Sequence, residues 1–178
     1  MKSLLLPCLG ILLFSACNNK PAATTPPKDT TTASIDLPYP INYSSDFEIA
    51  DKKYVKSVLE LWKDYQDNTL QNGLSKFADT VTFKTASGTV IKNTKDSVTA
   101  MVAAQRSKFS SVAHSIDVAL ALHPKGKDEI WVCVWGKEVD AMKDGKKDSV
   151  LLNENWMFDK NGKIAYLEQY AAKEVAKH

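Results

Sequence analysis

"EIWVCVWGKEVDAMKDGKKDSVLLNENWMFDKNGKIAYLEQY", Glu129–Tyr170, decides the fold. "EIWVCVWGKEVDAM" and "SVLLNENWMF" are rich in β-branched and aromatic residues, and Asp144-Gly145 between them is a strong hairpin signal. "DKNG", Asp159–Gly162, makes a second turn, after which "KIAYLEQY" runs back. Upstream, "VAHSIDVALAL" sets Val112, His114, Ile116, Val118, Leu120 and Leu122 on one side at period two, and Pro124 to Asp128 turns the chain into the next strand. Four long strands in an antiparallel meander are predicted.

The register follows from the turns. A two-residue turn at Asp144-Gly145 pairs Lys143 with Lys146, and therefore Trp135 with Glu154, Cys133 with Trp156 and Trp131 with Phe158. Side chains alternate along a strand, so these six share a face. Reading "DKNG" as a four-residue loop sets Leu167 against Glu154 and Gln169 against Leu152 on that face. The opposite face then carries Ile130, Val132, Val134, Asn153, Asn155, Met157, Tyr166 and Tyr170. A β-bulge would break this count beyond it.

Before the meander, "FEIADKKYVKSVLELWKDYQDNTLQNGLSKFAD" brings Ile49, Tyr54, Val58, Leu61, Trp62 and Tyr65 to one helical face. Asn72-Gly73 interrupts it, and Leu74, Phe77 and Ala78 continue a shorter helix. "TVTFKTASGTVIK" reads as two short strands around Ser87-Gly88, and "TKDSVTAMVAAQRSKF" as a helix capped by Thr94 or Asp96. The fold class is α+β: about three N-terminal helices packed on one face of a strongly curved antiparallel sheet.

The chain begins differently. Leu4 to Phe14 is an apolar run after one lysine, and eleven helical residues rise only about 16 Å, too short to span a bilayer core. Residues 1–16 read as a secretory signal peptide. Phe14-Ser15-Ala16-Cys17 resembles the lipobox of bacterial lipoproteins, which implies cleavage before Cys17 and a lipid on it. Asn18 beside that cysteine resembles an outer-membrane sorting signal, so the expected location is the cell envelope. An ordinary signal peptide with a cysteine at its cut is the alternative. Five of the seven prolines and the threonine-rich "ATTPPKDTTTAS" lie in or near residues 17–46, a stretch too poor in apolar residues to fold and expected to be a disordered tether. One domain, 47–178, remains. Losing Lys2 with the signal lowers the net charge from +2 to +1, which argues against a nucleic-acid partner. Cys8 also leaves, so Cys133 has no disulfide partner inside the chain.

The order of elements, with "FADTVTF" and "FDKNGKIAYLEQY", resembles the nuclear transport factor 2-like superfamily, which includes the SnoaL-like cyclases and ketosteroid isomerase. The resemblance covers Lys52 to Ala172 and implies a cone whose bent sheet closes over the helices around an apolar pocket. It registers the isomerase's general base at Thr85, its oxyanion tyrosine at Leu61 and its second acid at Glu154, so two of three catalytic roles are unfilled. That leaves Trp62, Trp131, Trp135, Glu154, Trp156, Leu167 and Gln169 as the candidate ligand-binding set. Tryptophans at such spacing also fill cores, and a register shift would turn Glu154 to water. His114 reads as a core histidine or a base, and Glu154 and His114 are the only catalytic candidates. Three dispersed histidines suggest no metal, and no cofactor motif is present. The expectation is a lipid-anchored module binding a small apolar or aromatic molecule; a cyclase, isomerase or dehydratase and a non-catalytic assembly module are the alternatives. A homodimer through the outer sheet face, carrying Ile130, Val132, Val134 and Met157, is also expected.

Overall fold

In the computed structural model, residues 37–174 are described. Residues 1–16, read above as a signal peptide, Cys17 and most of the Pro/Thr-rich stretch lie outside the described residues. The fold lies in the unit that begins at Ile41.

Its elements are β1 (Phe47–Ile49), α1 (Lys52–Asp67), a 3-10 helix (Leu70–Lys76), β2 (Phe77–Lys84), β3 (Val90–Thr94) and α2 (Lys95–Arg106), followed by β4 (Phe109–Pro124), β5 (Ile130–Met142), β6 (Lys147–Phe158) and β7 (Ile164–Lys173). The seven strands form one curled sheet in the order β1-β4-β5-β6-β7-β2-β3, antiparallel except where β2 runs parallel to β7. This is the α+β architecture that the sequence pattern implies.

Both α-helices start at a side-chain cap. The Asp51 carboxylate accepts the Lys53 N–H at 2.8 Å to cap α1, and Asn68 ends it in the left-handed region. Thr94 caps α2, its hydroxyl accepting the Ser97 N–H. Arg106 ends α2 and ties down the C-terminus of α1: its guanidinium donates to the carbonyls of Tyr65 (2.8 Å), Gln66 (2.9 Å) and Phe109 (3.1 Å). The inner face of α1 buries Val58, Leu61 and Trp62 against Val81, Val132, Val134, Trp156, Phe158 and Ile164.

Two local expectations are corrected. Phe47–Ile49 is not the first turn of α1 but an edge strand on β4, with Ile49 exposed. Phe77 and Ala78 do not prolong a helix; they begin β2 directly after the 3-10 helix. Gly73 fits that tight segment because a β-carbon there would lie 2.2 Å from Leu61 Cδ2.

The main correction concerns the β5–β6 register. Gly145 adopts φ 88°, its N–H donates to the Met142 carbonyl at 3.0 Å, and the Met142 N–H donates to Lys146 at 2.7 Å. That is a three-residue loop with glycine in the left-handed position, not a two-residue turn. One extra loop residue slips the pairing by one, so Trp135 opposes Asn153 and Val134 opposes Glu154. A one-residue slip exchanges the faces of one strand relative to its partner. Val132 and Val134 therefore lie fully buried in the core, not on the outer stripe, while Trp131, Cys133 and Trp135 face outward. Trp135 is 44% exposed. At the β6–β7 turn, a tight loop plus a bulge at Met157/Phe158 displaces the expected pairing by two residues. Two preserves parity. Leu167 pairs with Trp156 and Gln169 with Glu154, on the inner face as expected.

Candidate functional site

Three sheet residues and one helix residue build the centre. Glu154 sits on the inner face of β6 and is 6% exposed. Its Oε2 accepts the indole N–H of Trp62 at 2.6 Å and that of Trp156 at 3.0 Å, while Oε1 accepts the Gln169 amide at 2.8 Å. Both carboxylate oxygens are thus held by donors from α1, β6 and β7. Burial pushes the Glu154 pKa up, and the hydrogen bonds from Gln169, Trp62 and Trp156 oppose that shift.

Trp62 reaches this position because Gly136 leaves room. A β-carbon on Gly136 would lie 3.3 Å from the Trp62 ring and 2.5 Å from the Ser115 carbonyl. The Trp62 ring also meets His114, centroid to centroid at 4.8 Å. His114 pairs across the sheet with Glu138, and its Nε2 lies 2.8 Å from Glu138 Oε2. Asp140, next on the inner face of β5, is 9% exposed. Its pKa is pushed up to about 6 by burial and by the negative charge of Glu138. Tyr65, facing the same carboxylates from α1, is likewise raised, first by burial.

These side chains border one cavity of about 590 Å³ between α1, α2 and the sheet. Leu61, Phe77, Phe83, Met101, Leu152 and Leu167 form most of its apolar wall. Ala86, Ser87, Gln105 and Ala171 line it and are also exposed, which puts the mouth beside the β2–β3 turn.

The sequence-predicted set divides cleanly. Trp62, Glu154, Trp156, Leu167 and Gln169 are brought together around the cavity, and His114 joins them. Trp131 and Trp135 do not: the three-residue loop turns both to the other face of the sheet. Trp131 instead donates its indole N–H to Tyr43 Oη at 2.7 Å, in a shallow apolar depression with Phe47, Leu122 and Cys133. The Cys133 thiol is raised by burial, which disfavours the thiolate. Leu61 and Thr85, registered on the isomerase tyrosine and base, both line the cavity with side chains that can play neither part.

Glu138 and Asp140 are the residues that sequence reasoning missed. The two-residue turn assigned even-numbered residues of β5 to the outer face. The signal was present in that strand: Val132, Val134 and Gly136 alternate with bulky Trp131 and Trp135, and small residues suit the side on which helices pack. Among the described residues, no group of three or more His, Cys, Asp and Glu is arranged to hold a metal ion.

A helix-lined cone closed by a curled sheet is also what solved structures of low sequence identity present. A protein of unknown function from Exiguobacterium sp. 255-15, described as NTF2-like, aligns with a TM-score of 0.53 at 14% identity, over 66% of this chain and 99% of its own. The chain has the nuclear transport factor 2-like fold. The same cone occurs in a protein with a ketosteroid isomerase-like fold from Catenulispora acidiphila DSM 44928, solved in complex with trimethylamine (TM-score 0.50, 15% identity, 68% and 86% coverage). It occurs again in SalBIII, an epoxide hydrolase/cyclase-like enzyme of pyran ring formation in the polyether salinomycin (TM-score 0.50, 11% identity, 68% and 92% coverage). No family model and no curated protein matches the sequence.

Proposed function

We propose that this nuclear transport factor 2-like domain is a binding module whose cavity holds a small molecule with an apolar or aromatic body, and that Cys17 anchors it by lipid to the cell envelope. The observation that carries the binding reading is Glu154, a buried carboxylate fixed at both oxygens by three N–H donors in the wall of a 590 Å³ cavity. That volume is ordinary for a small-molecule site, and a few fixed polar groups in an apolar wall are what orient a ligand. The Catenulispora protein of the same fold is itself described in complex with a small molecule. Because Trp62 and Trp156 touch the cavity, ligand entry should change intrinsic fluorescence. Titrating a panel of aromatic and lipid-like compounds should give a saturable change that Trp156→Phe alters; a flat response to the whole panel contradicts the reading.

One observation favours a second reading. The His114–Glu138 pair faces the same cavity at hydrogen-bond distance, as a general acid or base and its orienting carboxylate would. The chemistry would be of the cyclase, isomerase or dehydratase type, and SalBIII is a cyclase-like enzyme on this fold. His114→Gln should then abolish turnover while leaving substrate affinity largely intact. The homodimer, in turn, would pair outer faces through Trp131, Trp135 and Met157 rather than through the buried valines. Sedimentation should show a dimer that Trp135→Lys weakens; a monomer at every concentration rejects it.

A further inference from the structure

The polar end of the cavity is one-sided in charge. Among the described residues, its lining includes three carboxyl side chains, Glu138, Asp140 and Glu154, and one imidazole, His114, but no lysine or arginine. Glu154 is satisfied by its three donors. The other end is not. Asp140 Oδ1 and His114 Nδ1 are buried and have no hydrogen-bond partner among the described residues, although both residues line the cavity. Buried polar atoms are rarely left unpaired, since each costs about 1–3 kcal/mol.

Both orphans call for the same chemistry. A carboxylate oxygen only accepts, and an imidazole that donates Nε2–H to Glu138 presents Nδ1 as an acceptor. The other charged groups nearby do not answer them. Arg106 spends its guanidinium on the backbone carbonyls of Tyr65, Gln66 and Phe109. Asp148, opposite Asp140 on β6, adds another negative charge and pairs with Lys173 at 3.8 Å. Tyr65 brings a ring and a hydroxyl from α1, and the Trp62 ring lies tilted against the His114 ring.

Resting on the binding reading above, we infer that the ligand is an organic amine bound as its ammonium ion, its N–H groups donated to Asp140 and His114 and its apolar body against the aromatic wall. A primary or secondary ammonium supplies several donors at once and offsets the repulsion between Glu138 and Asp140. The rings of Trp62 and Tyr65 add cation–π attraction. An anion would meet three carboxyl groups with no cation to receive it.

The test is a matched set of probes titrated calorimetrically into the full chain at slightly alkaline pH: phenethylamine, 2-phenylethanol and phenylacetate. They share a body and differ in charge. Phenethylamine should bind at least about tenfold more tightly than either of the others. Asp140→Asn should remove that preference while keeping the affinity for 2-phenylethanol. Glu138→Gln, which keeps the shape of its side chain, provides a second route should the first variant melt early. If 2-phenylethanol binds as well as the amine, or phenylacetate binds best, the charge inference is overturned and the binding reading stands. If none of the three binds, both are overturned.

Discussion

Replacing Glu154 separates what its oxygens do from what its charge does. In Glu154→Leu, the indole N–H groups of Trp62 and Trp156 lose the acceptor they hold at 2.6 and 3.0 Å, and both side chains are buried. Two buried unsatisfied donors cost about 2–6 kcal/mol together, and removing a desolvated carboxyl returns part of that. The expected net loss is about 2–4 kcal/mol. Glu154→Gln behaves differently. Its carbonyl oxygen can accept both indoles, as Oε2 does now, and its amide can donate to Gln169 once that side chain turns its amide over. Stability should stay within about 1 kcal/mol of the parent. Urea unfolding at neutral pH, followed by far-ultraviolet circular dichroism, measures both. A leucine variant as stable as the parent would show that the indoles do not depend on Glu154. A glutamine variant as damaged as the leucine one would show that the negative charge is what matters.

Gly136→Ala should cost about 1–3 kcal/mol by overpacking, because its β-carbon meets a backbone carbonyl and the Trp62 ring; unchanged stability with unchanged Trp62 fluorescence would reject the close approach. Asp140 is a group whose folded pKa is raised, so the folded state binds the extra proton and stability falls as pH rises from about 4 to about 6. Asp140→Asn should flatten that slope in thermal melts across this window; an identical slope in both proteins would assign it elsewhere. Cys17→Ser should abolish fatty-acid labelling and alter processing of the precursor, and a variant that still labels and fractionates with membranes would reject the lipid anchor.

The sequence was most legible where periodicity alone decides. Glu154, Trp156 and Phe158 alternate on one strand, so they share a face whatever their neighbour does. Leu167 and Gln169 also stayed on the inner face, because the loop and bulge between β6 and β7 shifted their pairing by two, which preserves parity. Trp131 and Trp135 depended on one loop residue. Asp-Gly suits a two-residue turn, but it equally supplies the left-handed glycine of a three-residue loop, and local sequence does not separate the two. The same slip hid Glu138 and Asp140 and turned Val132 and Val134 from surface to core. Phe47–Ile49 misread for another reason: three residues are too few to show a period, and their strand exists only because β4 offers an edge.

The cavity beside Glu154 is proposed to hold a small molecule. Native mass spectrometry of the protein purified from its own cells tests it most directly. A population is expected that carries a non-covalent small-molecule adduct, which collisional activation strips away and of which the Trp156→Phe variant carries less. A protein that shows only its covalent mass, in parent and variant alike, would contradict it.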